Sequence, residues 1–177
     1  MLPALATVAD AAAFDLDVTD GALLRASVRV RAYTGQEISA GTSTVTLRGP
    51  VSRLPQRPVT AVTTVTDGDG VVLAATDFEL APGGTLSVND TGLLTVAYSH
   101  GFATVPDEVV EVVCTVAARL SVSNEALASG VQQEQSGSAS QTLGWDAWKA
   151  QSSLTSEEKA VLDRLFPKMP GLVVMHL

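Results

Sequence analysis

The side chains able to do covalent or metal chemistry are few in this sequence, and their spacing keeps them apart. His100, His176 and Cys114 are its only imidazole and thiol groups, whereas a structural zinc needs four converging donors, usually in closely spaced pairs. No metal is therefore expected. Asp67-Gly68-Asp69-Gly70 begins like a calcium loop but lacks the third acidic position and the distant bidentate glutamate, so it predicts a hairpin turn without an ion. Ser99-His100, with Asp107 further on, holds the residue types of a nucleophilic triad and the only basis for a small hydrolase. Adjacent side chains on a strand point to opposite faces, however, so Ser99 and His100 are not expected to meet. Cys114 stands among valines, where a thiol serves as a small buried hydrophobe. Asn89-Asp90-Thr91 has the form of a glycosylation acceptor, but no export signal precedes it and Gly92 follows it, so it reads as a turn. With no phosphate-cradling glycine loop either, the sequence predicts no cofactor, no catalytic residue and no enzyme.

Composition narrows the partners. Eleven basic against nineteen acidic residues give 177 residues a formal charge of −8, a poor basis for gripping phosphate backbones or anionic membranes. Hydrophobic residues make up 46% of the chain and aromatic residues 5%, so the expected core is aliphatic. One cysteine forms no internal disulfide, and Met1-Leu2-Pro3-Ala4 lacks the basic region of a secretory signal. The apolar run Val109 to Leu120 contains Glu111 and Arg119 and falls short of the roughly 20 residues that span a bilayer.

Helical patterning occupies both ends. Thr7 caps a short helix over Val8 to Phe14, with Asp10 in its first turn, and Asp17, Thr19 and Asp20 offer a second start before Ala22 to Thr34. In that second helix Leu24, Val28 and Ala32 form one apolar stripe and Leu23, Val30 and Tyr33 another, leaving Arg25, Arg29 and Arg31 on a solvated face that could also meet another subunit. Gly35 suits a left-handed cap. Pro106, Asp107 and Glu108 open a third, largely buried helix to about Leu120, extended by Ser123 to Ala128. Thr155-Ser156-Glu157-Glu158 is a capping box for a last helix carrying Val161, Leu162, Leu165 and Phe166, stopped by Pro167.

Between these ends, Gly41 to Ser99 has strand grammar. Thr44 to Arg48 alternates with period two, Val59 to Thr66 is a Val/Thr run, and Val71 to Leu73, Phe78 to Leu80, Thr85 to Val88 and Leu93 to Tyr98 are separated by turn residues. Pro50, Pro55 and Pro58 keep a central strand out of the intervening segment. The predicted class is α+β: a helical bundle core, residues 1–40 and 101–166, with an inserted antiparallel sheet or barrel, 41–100, built as a meander of hairpins, and an extended tail, 167–177.

Two segments are expected to need a neighbour. Residues 129–144 are too polar to fold alone, so Val131, Gln132, Gln133, Glu134, Gln135, Ser136, Gly137 and Ser138 read as a mobile arm or exposed hairpin reaching another subunit. Pro170, Gly171, Leu172, Val173, Val174, Met175, His176 and Leu177 form an apolar end that either docks on a partner or packs against its own sheet. Trp145 and Trp148, three residues apart in a short helical turn, read as core or inter-subunit anchors.

Two stretches carry a resemblance: Leu54-Pro55-Gln56-Arg57-Pro58-Val59 entering a strand, and Val96-Ala97-Tyr98-Ser99-His100-Gly101-Phe102-Ala103-Thr104-Val105-Pro106-Asp107 entering a helix that ends in Ala117-Ala118-Arg119. The sequence resembles the head-to-tail adaptor (connector) proteins of tailed bacteriophages, especially those infecting actinobacteria. In that family the strand ends in a Tyr-Thr-His-Gly-Tyr-like turn, so Ser99 and Phe102 are departures. The resemblance runs from Thr7 to Phe166, weakly through the inserted sheet, and is carried by no catalytic residue. It implies a homo-oligomeric ring, dodecameric, below the portal protein in the virion neck, assembled in the bacterial cytoplasm. It further implies a stopper or tail-completion protein beneath and genomic DNA passing through the channel without specific binding. In such a ring the apolar tail would dock on the portal, unless it packs on its own sheet, and the acidic charge suits a wall past which DNA slides. A monomeric carbohydrate-binding or adhesion module is the alternative; it would require an aromatic platform on the strands.

Overall fold

The computed structural model describes residues 2–128, 133–136, 139–142 and 153–167. It is an α+β chain of two compact units, one comprising Met1–Thr34 with Pro106–Leu177 and the other Gly35–Val105.

The first unit is helical. Helix α1 spans Val8–Ala13, where the Thr7 side chain accepts from the Asp10 amide and Asp10 reaches back to the Thr7 amide. Helix α2 spans Asp20–Thr34, with Thr19 Oγ1 accepting from the Ala22 amide. Helix α3 covers Asp107–Ala128 and helix α4 covers Ser156–Leu165, the latter opened by the Thr155/Glu158 capping box. Leu23, Ala26 and Val30 of α2 and Val109, Val113, Val116 and Ala117 of α3 are all fully buried, as is Leu162 of α4. Each such Val or Leu contributes about 1.5–3 kcal/mol by leaving water.

The face of α2 that turns inward differs from the sequence expectation. Leu23, Ala26, Ser27 and Val30 are buried, while Val28 is 52% exposed, Ala32 is exposed and Leu24 is only half-buried. Ala22 and Ala26 explain the choice, because small side chains let the helix approach the valine face of α3 more closely than the Leu24–Val28 stripe allows. Ser27 is accommodated there by donating to the Leu23 carbonyl and accepting from the Leu5 amide. Nor are the arginines uniformly solvated. Arg25 is exposed, Arg29 is half-buried, and Arg31 is 9% exposed.

The second unit is two small antiparallel sheets around one core. Strands β1 (Gly41–Arg48), β3 (Val59–Thr66) and β6 (Leu93–His100) form one sheet in the order β1-β6-β3. Strands β2 (Val51–Arg53), β4 (Phe78–Ala81) and β5 (Thr85–Val88) form the other, in the order β2-β5-β4. Leu54, Val65, Leu86, Val88, Leu94, Val96 and Tyr98 fill the space between them. Strict alternation along β1 puts Ser43, Val45 and Leu47 toward this core and Thr42, Thr44 and Thr46 in water.

The expected meander is corrected here. Strand β6 sits between β1 and β3, pairing Gly41 with His100 through to Arg48 with Leu93 on one side and Val59–Thr66 on the other. Its alternating, nearly continuous buried face makes it the natural central strand. Strand β2, in the proline-rich segment, lies at a sheet edge, where missing amide donors cost nothing. Val71 to Leu73 does not become a strand. It makes one bridge, Thr66 with Val72, and leaves Val71 and Val72 exposed, because the Asp67 carboxylate holds the Asp69 and Val71 amides in a turn.

Candidate functional site

The motif residues Leu54 to Val59 and Tyr98 to Phe102 come together in the β unit at a largely buried polar joint, while Pro106, Asp107 and Ala117 to Arg119 belong to the helical unit. Gln36 and Gln56 each clasp the backbone on both sides of the other. The Gln36 amide group donates to the Pro55 carbonyl at 3.1 Å and accepts from the Arg57 amide at 2.7 Å. Gln56 in turn accepts from the Glu37 amide at 2.8 Å and donates to the Gly35 carbonyl at 3.4 Å. The Gln56 amide donates to the Tyr98 hydroxyl at 3.0 Å, tying this clasp to the central strand. Two side chains thus replace the ladder that prolines 55 and 58 deny to the segment.

Burial raises the Tyr98 hydroxyl above its ordinary pKa, reinforced by the Glu37 charge and opposed by hydrogen bonds from Gln56 and Ser43. His100, 1% exposed, lies beside the Tyr98 ring with centroids 5.5 Å apart. Gly101 follows with φ 83°, and a Cβ there would fall 2.2 Å from the Ser39 carbonyl oxygen, so the Gly in the motif is a steric requirement. The turn is held by Gly101 donating to Pro58 and Phe102 donating to Ile38.

This joint has the residue types of a hydrolase without the geometry of one. His100 Nε2 shares a hydrogen bond with Ser43 Oγ at 2.9 Å and stands 3.7 Å from Glu37 Oε2. A triad requires the acid on the opposite ring nitrogen, and Nδ1 is buried with no hydrogen-bond partner among the described residues. Ser99 pairs across the outer side of the sheet with Thr42 and Ala61, one residue out of phase with His100. Sequence reasoning missed Gln36, Glu37 and Ser43, which lie far from the motifs in the chain and carry no motif of their own.

In the helical unit, α3 and α4 border a groove of about 500 Å³ lined by Glu108, Glu111, Thr115, Arg119, Glu158 and Arg164, among others. Its anchor is Arg119 Nη2 donating to Glu158 Oε2 at 2.8 Å, the same oxygen that accepts from the Thr155 amide in the capping box. Arg164 and Glu108, both well exposed, are 3.7 Å apart and contribute little. Cys114 is fully buried, and burial with the nearby Asp10 charge raises its thiol pKa, so it stays a neutral thiol. Among the described residues, no three His, Cys, Asp or Glu side chains converge as a metal site, and no helix is long and apolar enough to cross a membrane. The strand aromatics do not form a platform for sugar, since Tyr98 is buried and Phe78 packs on the core.

Of the segments expected to reach a neighbour, Gln133–Ser136 and Ala139–Thr142 form a two-stranded hairpin, β7 with β8, pairing Gln133 with Thr142 and Ser136 with Ala139. Val131, Gln132, Gly137, Ser138, Trp145, Trp148 and the whole of Pro170 to Leu177 lie outside the described residues.

No protein-family model matches the sequence, and no curated protein matches it. Solved structures do match. A chain in the neck of an empty gene transfer agent particle, computed with C6 symmetry, superposes with a TM-score of 0.51 at 18% identity, over 88% of this chain and 93% of its own. A chain in the neck of the native particle, computed with C12 symmetry, gives 0.50 at 17% identity, over 84% and 88%. The fold is shared with neck chains of phage-like particles. At this identity the likeness extends to the path of the backbone.

Proposed function

We propose that this chain is a non-catalytic neck subunit of a tailed phage or phage-like particle, a head-to-tail adaptor that forms a homo-oligomeric ring of twelve copies below the portal and continues the DNA channel. The observation that carries the reading is the shared fold, which extends over nearly the whole of this chain and of the neck chains. The polar joint also favours it: Gln36, Gln56, Tyr98 and Gly101 commit their polar groups and close contacts to holding the fold. A charge of −8 suits a wall past which DNA slides, because few cations are available to hold phosphates.

In this assembly the arm from Val131 to Ser138 reaches the adjacent subunit, Trp145 and Trp148 anchor it, and the tail from Pro170 to Leu177 docks on the portal. A stopper or tail-completion protein meets the ring below. Particles purified from the bacterium that encodes the chain test the reading directly: mass spectrometry should find the chain, and a reconstruction of the neck should place it in a ring. Its absence from intact particles would refute the reading. Removing Pro170 to Leu177 tests the docking role alone, since unchanged association with the portal would refute it.

A further inference from the structure

Helix α2 presents two unlike faces. Leu23, Ala26 and Val30 are buried inside the helical unit. The outward face carries Leu24, Val28 and Ala32 in one row at four-residue spacing, with Val28 52% exposed and Ala32 exposed. Exposed Arg25 and half-buried Arg29 flank that row. Single exposed valines are ordinary, but an apolar row edged by arginines has the composition of an interface.

Among the described residues, no carboxylate pairs with Arg25 or Arg29 on this face. Arg29 Nη1 is shut off from solvent and has no hydrogen-bond partner among the described residues. Burial, then repulsion from Arg25 and Arg119, lowers the Arg29 pKa, so three guanidiniums crowd together. Arg119 has a carboxylate of its own in Glu158. A buried donor without an acceptor and a like-charge pair both cost stability, and both costs fall when a carboxylate arrives.

We propose that the outward face of α2 binds a second copy of this chain, with Arg25 and Arg29 taking carboxylates from the start of the neighbour's α3 and Val28 at the apolar centre. Asp107, Glu108 and Glu111 are exposed at that helix start. On one chain they are separated from the arginine cluster: Glu108 and Arg119 lie about 16 Å apart along α3 at 1.5 Å per residue. Donor and acceptor patches are therefore different surfaces. Placing the arginine face against itself would gather like charges, so the contact is heterologous, the kind that closes into rings. A phosphate backbone would pair with the arginines but leave Leu24, Val28 and Ala32 in water, and the net charge opposes it.

This inference rests on the ring reading above and names the surfaces that close it. The test is sedimentation of the full chain up to millimolar concentration at low and high salt. Self-association that weakens as salt rises is expected, with Arg25→Glu/Arg29→Glu losing at least tenfold in affinity. Mixing that variant with Glu108→Arg/Glu111→Arg should restore association that neither shows alone. Circular dichroism checks the fold, and Val28→Ser, a change at an exposed site, provides a second variant expected to weaken association. The inference is overturned by a wild-type chain that stays monomeric at millimolar concentration, by variants that associate like wild type, by mixtures that stay apart, or by loss of duplex-DNA binding in place of self-association. Rings seen in particles carrying the double arginine variant would sink this contact and leave the neck reading standing. Absence of the chain from particles would sink the neck reading, while sedimentation would still report on the contact.

Discussion

Tyr98→Phe isolates the polar joint of the β unit with little change in shape. The ring stays in the core, so no cavity term arises, and the loss is confined to the hydroxyl. That oxygen accepts from the Gln56 amide at 3.0 Å, in a side chain only 1% exposed. Removing one partner of a buried hydrogen bond leaves the other unsatisfied, which costs about 1–3 kcal/mol. For a unit of this size that corresponds to a fall in Tm of roughly 4–8 °C per kcal/mol. Hydrogen exchange of the β6 amides in a urea series reads the β unit by itself. Tyr33→Phe is the control, because its hydroxyl bonds Asp163 at an exposed site and its loss should cost well under about 1 kcal/mol. The variant also carries a pH signature. Burial raises the Tyr98 pKa, so the stabilisation it reports is present below the unfolded value near 10 and is lost as pH rises through the higher folded value. Tyr98→Phe should remove that alkaline dependence. A loss no greater than that of Tyr33→Phe, with an unchanged alkaline profile, would refute the argument that the joint holds the sheet.

Gly101→Ala should destabilise the β unit by more than about 2 kcal/mol, since it combines a left-handed φ with a Cβ driven into the Ser39 carbonyl; near-neutral unfolding curves would show that the turn relaxes freely. Asp10, whose carboxylate is held below its ordinary pKa first by the Thr7 amide and then by the Thr7 hydroxyl, stabilises α1 above the usual carboxylate range. That contribution should fade as pH falls through the lowered native value, and Asp10→Ala should abolish the acid dependence of α1 amide exchange. Cys114 should react with a thiol reagent only as fast as the helical unit opens, and labelling at the rate of a free thiol in native conditions would contradict its burial.

Local chemistry made several elements legible in the chain. Thr7 with Asp10 and Thr155 with Glu158 spell out helix starts because a capping box needs only residues three apart. Gly35, at φ 67°, marks the end of α2 for an equally local reason. The Pro-Asp-Glu opening of α3 and its valines at helical spacing predicted a buried helix, and Val109, Val113 and Val116 are buried in it. The resemblance, too, was written in contiguous residues, and part of them, Leu54 to Pro58 and Tyr98 to Phe102, builds the joint of the β unit.

What the sequence left open were choices between comparable alternatives. Alpha2 has apolar residues on two faces, and only the approach of α3 decided that Ala22, Ala26 and Val30 go inward while Leu24 and Val28 remain outside. The order β1-β6-β3 is likewise a property of which faces share a core, and strand propensity is silent about it. The clasp of Gln36 with Gln56 joins residues far apart in the chain through backbone groups that any residue possesses. Sequence alone determined where helices begin, where chain direction turns and how much charge the molecule carries, because these depend on neighbours within a few residues. Tertiary structure alone determined which faces meet, because burial depends on surfaces brought together by the whole chain.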